Sequence, residues 1–458
     1  MNTLYSSPIY IIGGGPAGLS AAFFLGQKYP EHQIIVLEQT DSLGGVCRTD
    51  YADGFRFDMG PHYFYTTNRD VLNFFYKIVD EDTFITCYKN ALISTMGKYF
   101  EYPIRISYDS LKNLGGKVWK IGFTWMIRSL HKSTTNLQDY FIQTYGRELY
   151  HIFFEKYTEK VWGCHPRDLP YDFLGSRIEK DGLMDILRNT IRGKKSRKES
   201  MDDLSQFFLK HFLYLPYGSG QFWDELLSKL SDNTTIIRNA NVRKVITETK
   251  TILYSDACGE HESLYRNILC TCPIDETLEY IEASMELKNK ARNYLIYRSL
   301  IFVNLKIDGL SICNHEEDRV HYIYLHDENI RSGRLTIFSN WSSKMSDDIS
   351  SSCCLEYYCD LEGELFKTSD ESIVKIAILD LINGGYINDE KQVLAFEIRK
   401  FPKCYPIVLD KAVRSEIQDY IEKKGVRIIG RMGRHEYISM AKCIEEAMEL
   451  VQGDLVDA

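Results

Sequence analysis

Three glycines near the start of the chain are spaced to bind a phosphate. Gly13, Gly15 and Gly18 form a G-x-G-x-x-G pattern between a short apolar run and a helix-forming stretch that opens with Pro16 and Ala17. In this pattern the first glycine allows a tight turn, the second lets the backbone approach a pyrophosphate, and the third lets helix and strand pack closely. The stretch therefore predicts a dinucleotide at the N-terminus of a helix, with a ligand-free glycine turn as the alternative.

A second strand and a second glycine pair follow at a useful distance. An apolar run ends at Glu38, twenty positions after the last glycine of the first motif, with Gln39 beside it. An acid in that place can accept hydrogen bonds from a ribose hydroxyl pair. Gly44, Gly45 and Arg48 follow in "DSLGGVCRT", as in flavoproteins of the glutathione-reductase-like and amine-oxidase-like class, where the glycines run under the flavin pyrophosphate. FAD is therefore the predicted cofactor.

The composition restricts the class of protein further. The chain has 458 residues, of which 44% are hydrophobic and 26% charged, so two or three domains are expected. Because the formal net charge is −9, nucleic acid is not expected as a partner, and an anionic ligand would need locally placed arginines. The 12 cysteines lack metal-ligand spacing, so we predict reduced thiols and no metal site. No run reaches the roughly 18 apolar residues of a membrane span, and the N-terminal apolar run is broken by glycines, so a cytoplasmic location is predicted.

The elements that must position these residues are predicted from hydrophobic periodicity. Residues 8–12 and the run to Glu38 are predicted strands, with a helix at 16–27 between them. Helical periodicity recurs at 68–80 and 107–156, and β-rich runs occur at 235–271, 297–307, 321–326, 334–341 and 353–359. The basic segment 191–200 is interpreted as a solvated loop, with contact to phosphate or a membrane surface as the alternative.

The predicted fold class is α/β, with a Rossmann-like FAD-binding domain of the GR2 type. A helical insert and a second domain with an antiparallel sheet, which would hold the substrate, interrupt it. In chain order we predict an FAD-binding part at 1–100, a helical substrate domain at 101–210, an FAD-binding part at 211–285, an antiparallel-sheet substrate domain at 286–400 and a C-terminal FAD-binding part at 401–458.

Six separated stretches resemble, in order, the UDP-galactopyranose mutases. They are GPHYFYTTNRDVLNFF (60–75), YTEKVWG (157–163) followed by LGSRI (174–178), YLPYGSGQFWDEL (214–226), RLTIFSNWS (334–342), CYPIV (404–408) and GRMGRHEYISM (430–440). The chain departs from the commonest pattern of that family at Val46-Cys47, at Val161 and at Ser439. These departures concern the identity of the sugar nucleotide more than the chemistry.

The resemblance implies an FAD-dependent isomerase that interconverts the pyranose and furanose forms of a UDP-sugar for cell-surface polysaccharide biosynthesis. In that family the reduced flavin acts as a covalent nucleophile through a flavin N5–sugar adduct. The implied partners are therefore a UDP-sugar and an external reductant, and the interpretation allows a homo-oligomer.

The resemblance also implies roles for individual residues. Arg334 and Arg177 are the implied diphosphate ligands, because arginine forks match phosphate oxygens. They form the predicted catalytic set together with His62, which contacts the flavin and holds its reduced state. The other predicted substrate contacts are Tyr157, Trp162, Tyr405 and Tyr437. The predicted cofactor contacts added by the resemblance are Gly60, Pro61, His62, Val245, Arg431, Tyr437, Ile438 and Ser439.

Two other interpretations share part of the pattern. An FAD-dependent oxidoreductase of the amine-oxidase or protoporphyrinogen-oxidase type would also contain residues 11–49 and the terminal glycine turn, but it would not need arginines for a diphosphate. A non-enzymatic binding module, as in GTPase-escort proteins, shares the architecture but has lost the flavin. The complete set of glycines in this chain argues against the second interpretation.

Overall fold

Strands and helices are both distributed along the whole described chain. The computed structural model describes residues 7–104, 107–130, 135–171, 173, 203–312, 319–347 and 349–453. The strands are β1 (Ile9–Ile12), β2 (Ile34–Leu37), β3 (Thr49–Ala52), β4 (Phe55–Asp58), β5 (Ile85–Tyr88), β6 (Ala91–Thr95), β7 (Lys98–Tyr102), β8 (His211–Tyr214), β9 (Thr234–Ile237), β10 (Asn241–Ile246), β11 (Thr251–Asp256), β12 (Gly259–Leu264), β13 (Asn267–Cys270), β14 (Leu295–Asp308), β15 (Tyr322–Leu325), β16 (Arg334–Ile337), β17 (Ser350–Cys359), β18 (Val393–Val408) and β19 (Val426–Ile428).

The helices vary from single turns to 14 residues. They are α1 (Pro16–Lys28), α2 (Arg69–Ile78), α3 (Tyr108–Leu114), α4 (Lys117–Met126), α5 (Leu137–Tyr145), α6 (Arg147–Leu149), α7 (Lys156–Trp162), α8 (Leu204–Lys210), α9 (Gly220–Ser228), α10 (Ile274–Tyr280), α11 (Met285–Tyr294), α12 (Glu364–Lys367), α13 (Asp370–Asn383), α14 (Lys411–Lys423), α15 (Gly430–Gly433) and α16 (Met440–Gln452). None of these described helices is long and apolar enough to cross a bilayer.

A parallel sheet in the order β19-β13-β1-β2-β9 carries the first glycine motif. All four residues of β1 are buried, because the strand is central and both faces of the sheet are covered by other elements. The C-terminal helix α16 packs against α1, so the end of the chain returns to its beginning. The predicted strands at 8–12 and before Glu38, the predicted helix at 16–27 and the Rossmann-like domain are therefore confirmed.

A second, larger sheet forms the other half of the fold, in the order β18-β14-β17-β16-β15-β6-β7. Its pairs are antiparallel except for β15 and β6, which run parallel, so the predicted antiparallel sheet is in fact a mixed one. Two of its strands, β6 and β7, come from the part predicted as FAD-binding, and β18 crosses the boundary predicted at residue 400. Local periodicity predicts strands but not the sheet to which they pair.

Helices pack on both faces of this sheet, α4 to α7 on one and α13 on the other. The predicted helical stretch at 107–156 is confirmed as α3 to α6, which continue through a π-helical turn, Tyr150–Glu155, into α7. Such turns insert an extra residue and change the direction in which the following side chains point. Two predicted features, the LGSRI stretch with Arg177 and the basic segment 191–200, lie outside the described residues.

Candidate cofactor and substrate cavity

The glycine turn after β1 has the geometry that its sequence predicts. Gly13 has φ of +104°, and a β-carbon there would lie 2.4 Å from Thr271 Oγ1. A β-carbon on Gly18 would lie 1.9 Å from the Gly13 carbonyl oxygen. On Gly15, by contrast, a β-carbon would meet nothing within 4 Å. Packing therefore requires the first and third glycines, whereas the second leaves open space at the start of α1, where a pyrophosphate would approach.

The second glycine pair lies directly against the first motif. Gly44 and Gly45 both have positive φ, at +87° and +56°. The Gly44 N–H donates to the Gly14 carbonyl at 2.9 Å, and a β-carbon on Gly45 would lie 3.5 Å from Gly15 Cα. The two turns therefore form one bare backbone surface that fits the pyrophosphate of a dinucleotide.

Hydrogen bonds from the protein already occupy part of the carboxylate of Glu38, the acid after β2. Glu38 Oε2 accepts from the Gly14 N–H at 2.8 Å. Glu38 Oε1 accepts from the Thr40 N–H at 2.9 Å and from its hydroxyl at 2.8 Å. A carboxylate offers about four acceptor positions, so one remains for a ribose hydroxyl. Gln39 is exposed beside it, and its predicted contact with the cofactor stays a prediction.

Two other predicted cofactor residues are held by the protein itself. Arg48 donates through Nε to Asp50 Oδ1 at 2.9 Å, and its guanidinium lies 5.5 Å from the centre of the Phe401 ring. Val245 lies on β10 of the three-stranded sheet β10-β11-β12 and is 2% exposed. Cofactor contacts of both residues stay predictions.

A cavity of about 930 Å³ opens between the Gly-Pro-His loop, the large sheet and the C-terminal turn. Nine of the predicted site residues that the structure describes meet at its wall. They are Pro61, His62, Trp162, Arg334, Tyr405, Arg431, Tyr437, Ile438 and Ser439. The C-terminal turn connects this wall to the glycine motif. Its Gly430 approaches α1 so closely that a β-carbon there would lie 2.6 Å from Ala17 Cβ.

The described lining of the cavity is cationic and rich in tyrosine, although the chain as a whole carries a net charge of −9. Its basic side chains are Lys89, Lys210, Arg334, Lys411, Arg414, Arg431 and Lys442, and its acidic one is Glu436. Its tyrosines are Tyr63, Tyr65, Tyr88, Tyr102, Tyr322, Tyr324, Tyr405 and Tyr437. A cleft that is lined mainly by positive charges concentrates anionic ligands, and tyrosine hydroxyls donate hydrogen bonds to such ligands without adding charge. The lysines were missed from the sequence because they lie in no motif.

Arg334 lines the cavity in contact with side chains of the neighbouring strands. Tyr324 on β15 and Glu356 on β17 are its direct cross-strand neighbours. Its Nε and Nη2 donate to the two Glu356 carboxylate oxygens at 2.6 Å each, and Nη2 lies 3.5 Å from Tyr405 Oη. Burial alone would lower the pKa of Arg334, but the carboxylate raises it. The pair also packs under the Gly-Pro-His loop, because a β-carbon on Gly60 would lie 3.0 Å from Glu356 Oε1.

Glu356 itself was missed from the sequence, although a signal was present. It is the one acid in the strand "CCLEYYC", and it is 0% exposed. Charged groups in a strand that is otherwise apolar are buried only with a partner. The fork of Arg334 is thus fixed in direction, and its charge is already compensated by the protein.

Arg431 has a different environment. Its Nε and Nη2 donate to the Ile438 carbonyl oxygen at 2.9 and 2.7 Å, and its guanidinium lies 4.9 Å from the centre of the Tyr437 ring. No carboxylate pairs with it among the residues that the structure describes. A buried cation that lacks a counter-ion suits an anionic group of a ligand or of a cofactor. Ser439 caps α16, with its hydroxyl accepting from the Lys442 N–H at 3.2 Å.

His62 is neutral at physiological pH. Burial, together with the nearby cations Arg431 and Arg334, lowers its pKa to about 3. Its ring Nδ1 is buried and has no hydrogen-bond partner within the described part of the chain. The ring can therefore hydrogen-bond a bound group, but it carries no proton to donate as an imidazolium.

Helix α7 places two predicted substrate residues. Trp162 packs edge-on against Tyr437, with ring centres 5.8 Å apart, and so lines the cavity. Tyr157 stacks on His326 at 4.1 Å behind the wall. Between them, Lys160 Nζ donates to backbone carbonyls of the loop that joins β15 to β16. This lysine, which no motif indicated, fixes the helix to the sheet that carries Arg334.

Two comparisons with known proteins concern the fold. A profile for the NAD(P)-binding Rossmann-like domain matches residues 11–78. The whole described architecture is similar to a solved putative protoporphyrinogen oxidase from Exiguobacterium sp. 255-15, with a TM-score of 0.74, 15% identity, and 99% of each chain covered. Together with the two glycine turns, these likenesses show a Rossmann-like dinucleotide-binding fold.

A more particular likeness is to sugar-nucleotide mutases. A solved structure of reduced UDP-galactopyranose mutase covers 98% of this chain and 93% of its own, with a TM-score of 0.80 and 19% identity. The dTDP-fucopyranose mutase of Escherichia coli is 25% identical over 178 residues, and a probable UDP-galactopyranose mutase of Klebsiella pneumoniae is 26% identical over 175. Each match covers 36% of this chain and 44% of the relative, so the chain spans less than half the length of these relatives. The predicted resemblance to the mutases is confirmed.

Proposed function

We propose that this chain is an FAD-dependent mutase that interconverts the pyranose and furanose forms of a nucleoside-diphosphate sugar, with a UDP-sugar as the first candidate. The observation that carries the proposal is the cavity, which joins Arg334, Arg431 and a neutral His62 in a cationic, tyrosine-rich wall. An amine or an alkene would not need such a wall, whereas a diphosphate does. The names of the two matched mutases support the same class. We place the reaction in the cytoplasm, in cell-surface polysaccharide biosynthesis.

The residues present fit the cofactor. The bare surface of Gly15, Gly44 and Gly45 would hold the pyrophosphate, and the free position on Glu38 would accept from the ribose. Arg431 would hold the electron-rich edge of the flavin ring, which the orphaned Nδ1 of His62 would also face. When bound and reduced by an external reductant, FAD supplies a nucleophilic nitrogen for the sugar.

Arg334 and the tyrosines act on the diphosphate. Glu356 holds the guanidinium of Arg334 in one direction, so little reorientation is needed when the substrate enters. The Tyr405 hydroxyl, close to the same guanidinium, donates to the phosphate without a further charge. As the anomeric bond breaks, negative charge develops on the leaving diphosphate, and one well-placed donor lowers such a barrier by roughly 3 kcal/mol. Arg177 is proposed as the second arginine of this contact.

The test uses the purified holoprotein, reduced anaerobically with dithionite. UDP-galactopyranose and UDP-galactofuranose are each incubated with it and then separated by chromatography. Conversion that requires the reduced flavin supports the proposal, and Arg334→Ala should lower it by more than 100-fold, about 3 kcal/mol of lost stabilisation. Arg427→Ala, at an exposed arginine on β19, is the matched control and should convert normally. Because Arg334→Ala leaves Glu356 buried without its counter-ion, the double variant with Glu356→Gln is measured beside it.

An FAD-dependent oxidoreductase is the second candidate. It is favoured by the paired rings of Tyr405 and Tyr437, whose centres are 4.6 Å apart at the cavity wall, and by the likeness to the protoporphyrinogen oxidase. In the same experiment, a silent flavin spectrum on adding UDP, with oxygen consumed in the presence of an amine, would establish this candidate. A spectrum that UDP perturbs without conversion would instead direct the search to another sugar nucleotide, such as one with dTDP.

A further inference from the structure

The outer face of α4 carries apolar side chains that the described structure leaves uncovered. Trp119 is 86% exposed, Phe123 58% and Met126 65%. These positions are four and three residues apart, so they form one stripe along the helix. Ile121, on the opposite face, is 9% exposed and joins the core cluster beneath the cavity. The preceding helix α3 adds Tyr108, which is 80% exposed.

The same two helices are cationic. The basic residues of the segment 107–130 are Lys112, Lys117, Lys120 and Arg128, and its acid is Asp109. Lys120 pairs with Glu148 at 2.7 Å, whereas Lys112 and Lys117 are exposed at the ends of the two helices. The segment is thus net positive, whereas the chain as a whole carries a net charge of −9. The patch therefore combines large apolar side chains with lysines at its margin.

We propose that α3 and α4 form a docking surface for the headgroup region of an anionic lipid bilayer. Amphipathic helices that lie in a membrane interface carry Trp, Phe or Leu on one face and Lys or Arg on the polar face. In this arrangement the stripe of Trp119, Phe123 and Met126 enters the boundary between headgroups and acyl chains, and the ammonium groups of Lys112 and Lys117 meet lipid phosphates. The inference goes beyond the proposed reaction and does not depend on it.

Charge decides between a bilayer and a second copy of the chain. A two-fold interface brings the same patch of both copies together, so the lysines of one copy would face those of the other. Such a juxtaposition of like charges is unfavourable at an interface. An anionic lipid surface instead offers opposite charge to every lysine of the patch, worth about 1 kcal/mol for each cation near the surface.

The test measures co-sedimentation of the full-length holoprotein with vesicles of phosphatidylcholine, with and without phosphatidylglycerol. The wild-type protein should bind the anionic vesicles more tightly, and added salt should weaken this binding. The variant Lys112→Gln/Lys117→Gln should lose about 30-fold in partition to anionic vesicles, the equivalent of about 1 kcal/mol per lysine. The variant Trp119→Gln/Phe123→Gln should lose binding to both kinds of vesicle.

Matched controls lie on α13, which also exposes a lysine and large apolar side chains. Lys375 is exposed, and Leu379 is 57% exposed, so Lys375→Gln and Leu379→Gln should bind vesicles like the wild-type protein. Flavin content and far-ultraviolet circular dichroism verify that each variant is folded. Equal binding of wild-type protein to both vesicle types, or normal binding by Trp119→Gln/Phe123→Gln, would overturn the proposal. So would light scattering that shows an oligomer dissociated by the same two substitutions, because the patch would then be an interface between copies.

Discussion

Replacing Glu356 by Gln should weaken the fold and strengthen anion binding at the same time. The Glu356 carboxylate is 0% exposed, and its two oxygens accept from Arg334 at 2.6 Å each. Glutamine has nearly the same shape but offers one oxygen, and its amide group would face the second guanidinium N–H. The guanidinium of Arg334 would therefore stay buried with its charge uncompensated.

The magnitude follows from these contacts. Removing one partner of a buried ion pair lowers stability by about 3–5 kcal/mol. Since glutamine keeps one of the two hydrogen bonds, worth about 1 kcal/mol, a loss of about 3 kcal/mol in the free energy of unfolding is expected for Glu356→Gln. A bound diphosphate can restore part of this loss by compensating the charge of Arg334. If it restores half, UDP should bind roughly tenfold more tightly to the variant, because about 1.4 kcal/mol corresponds to a factor of ten.

The assay combines urea unfolding with titration of UDP, followed by the flavin absorbance. Arg334→Met is the matched variant, because it removes the fork but leaves Glu356 buried without its cation. It should lose a similar amount of stability, and UDP binding should weaken. The double variant Arg334→Met/Glu356→Gln leaves neither charge in the site, so it should recover much of the stability without recovering UDP binding.

Two results would refute this reasoning. If Glu356→Gln weakens UDP binding as strongly as Arg334→Met does, the pair acts on the ligand as a unit and Arg334 is not a separate anion site. If Glu356→Gln leaves the free energy of unfolding unchanged, the pair is not a desolvated one. Both outcomes are read from the same pair of titrations.

Three further predictions concern the glycine turn, a buried acid and the histidine. Gly18→Ala should destabilise the apoprotein by about 3 kcal/mol in urea unfolding, since its β-carbon would clash with a backbone carbonyl. Gly15→Ala should leave stability unchanged but lower the affinity for FAD at least tenfold in a titration. Equal effects of the two substitutions would contradict the roles assigned to the two glycines. Burial raises the pKa of Asp58 to about 6 from 3.8, so the carboxyl binds its proton more tightly in the folded state, and about 3 kcal/mol of stability present below pH 4 is lost as the pH rises through 6. Unfolding midpoints measured between pH 4 and 7.5 should therefore depend less on pH in Asp58→Asn, and an unchanged slope would exclude Asp58 as the source. Because the pKa of His62 is near 3, His62→Gln should lower the rate without altering the pH profile between 5.5 and 8, and loss of an inflection in that range would show that the ring titrates there.

Motifs at the ends of strands were predictable because chemistry restricts them locally. Gly13, Gly15 and Gly18 each meet a steric requirement of the same turn, so the turn could be identified without knowledge of the rest of the chain. The meeting of His62, Arg431 and their neighbours at one cavity followed from the family resemblance and not from periodicity. The relative position of these residues depends on a fold that local patterns do not define.

What could not be predicted depends on contacts between distant parts of the chain. The strands β6 and β7 join the large sheet through a single parallel pair with β15, more than 200 residues later in the sequence. Lys160 reads as an ordinary helical lysine, yet its ammonium is bound by carbonyls of a loop between two strands. The pairing of Arg334 with Glu356 likewise depends on the register of β16 against β17, which neither strand specifies alone.

The two buried arginines of the cavity therefore have different electrostatic roles, although the sequence presents them as equals. The charge of Arg334 is balanced by Glu356, so this residue contributes direction to a ligand and little net field. The charge of Arg431 is balanced by no described carboxylate, so it contributes the field. Because His62 stays neutral between them, it neither adds to this field nor cancels it. An anion that enters the cavity thus meets fixed donors from one arginine and an uncompensated charge from the other, and this combination favours a group whose negative charge grows during the reaction.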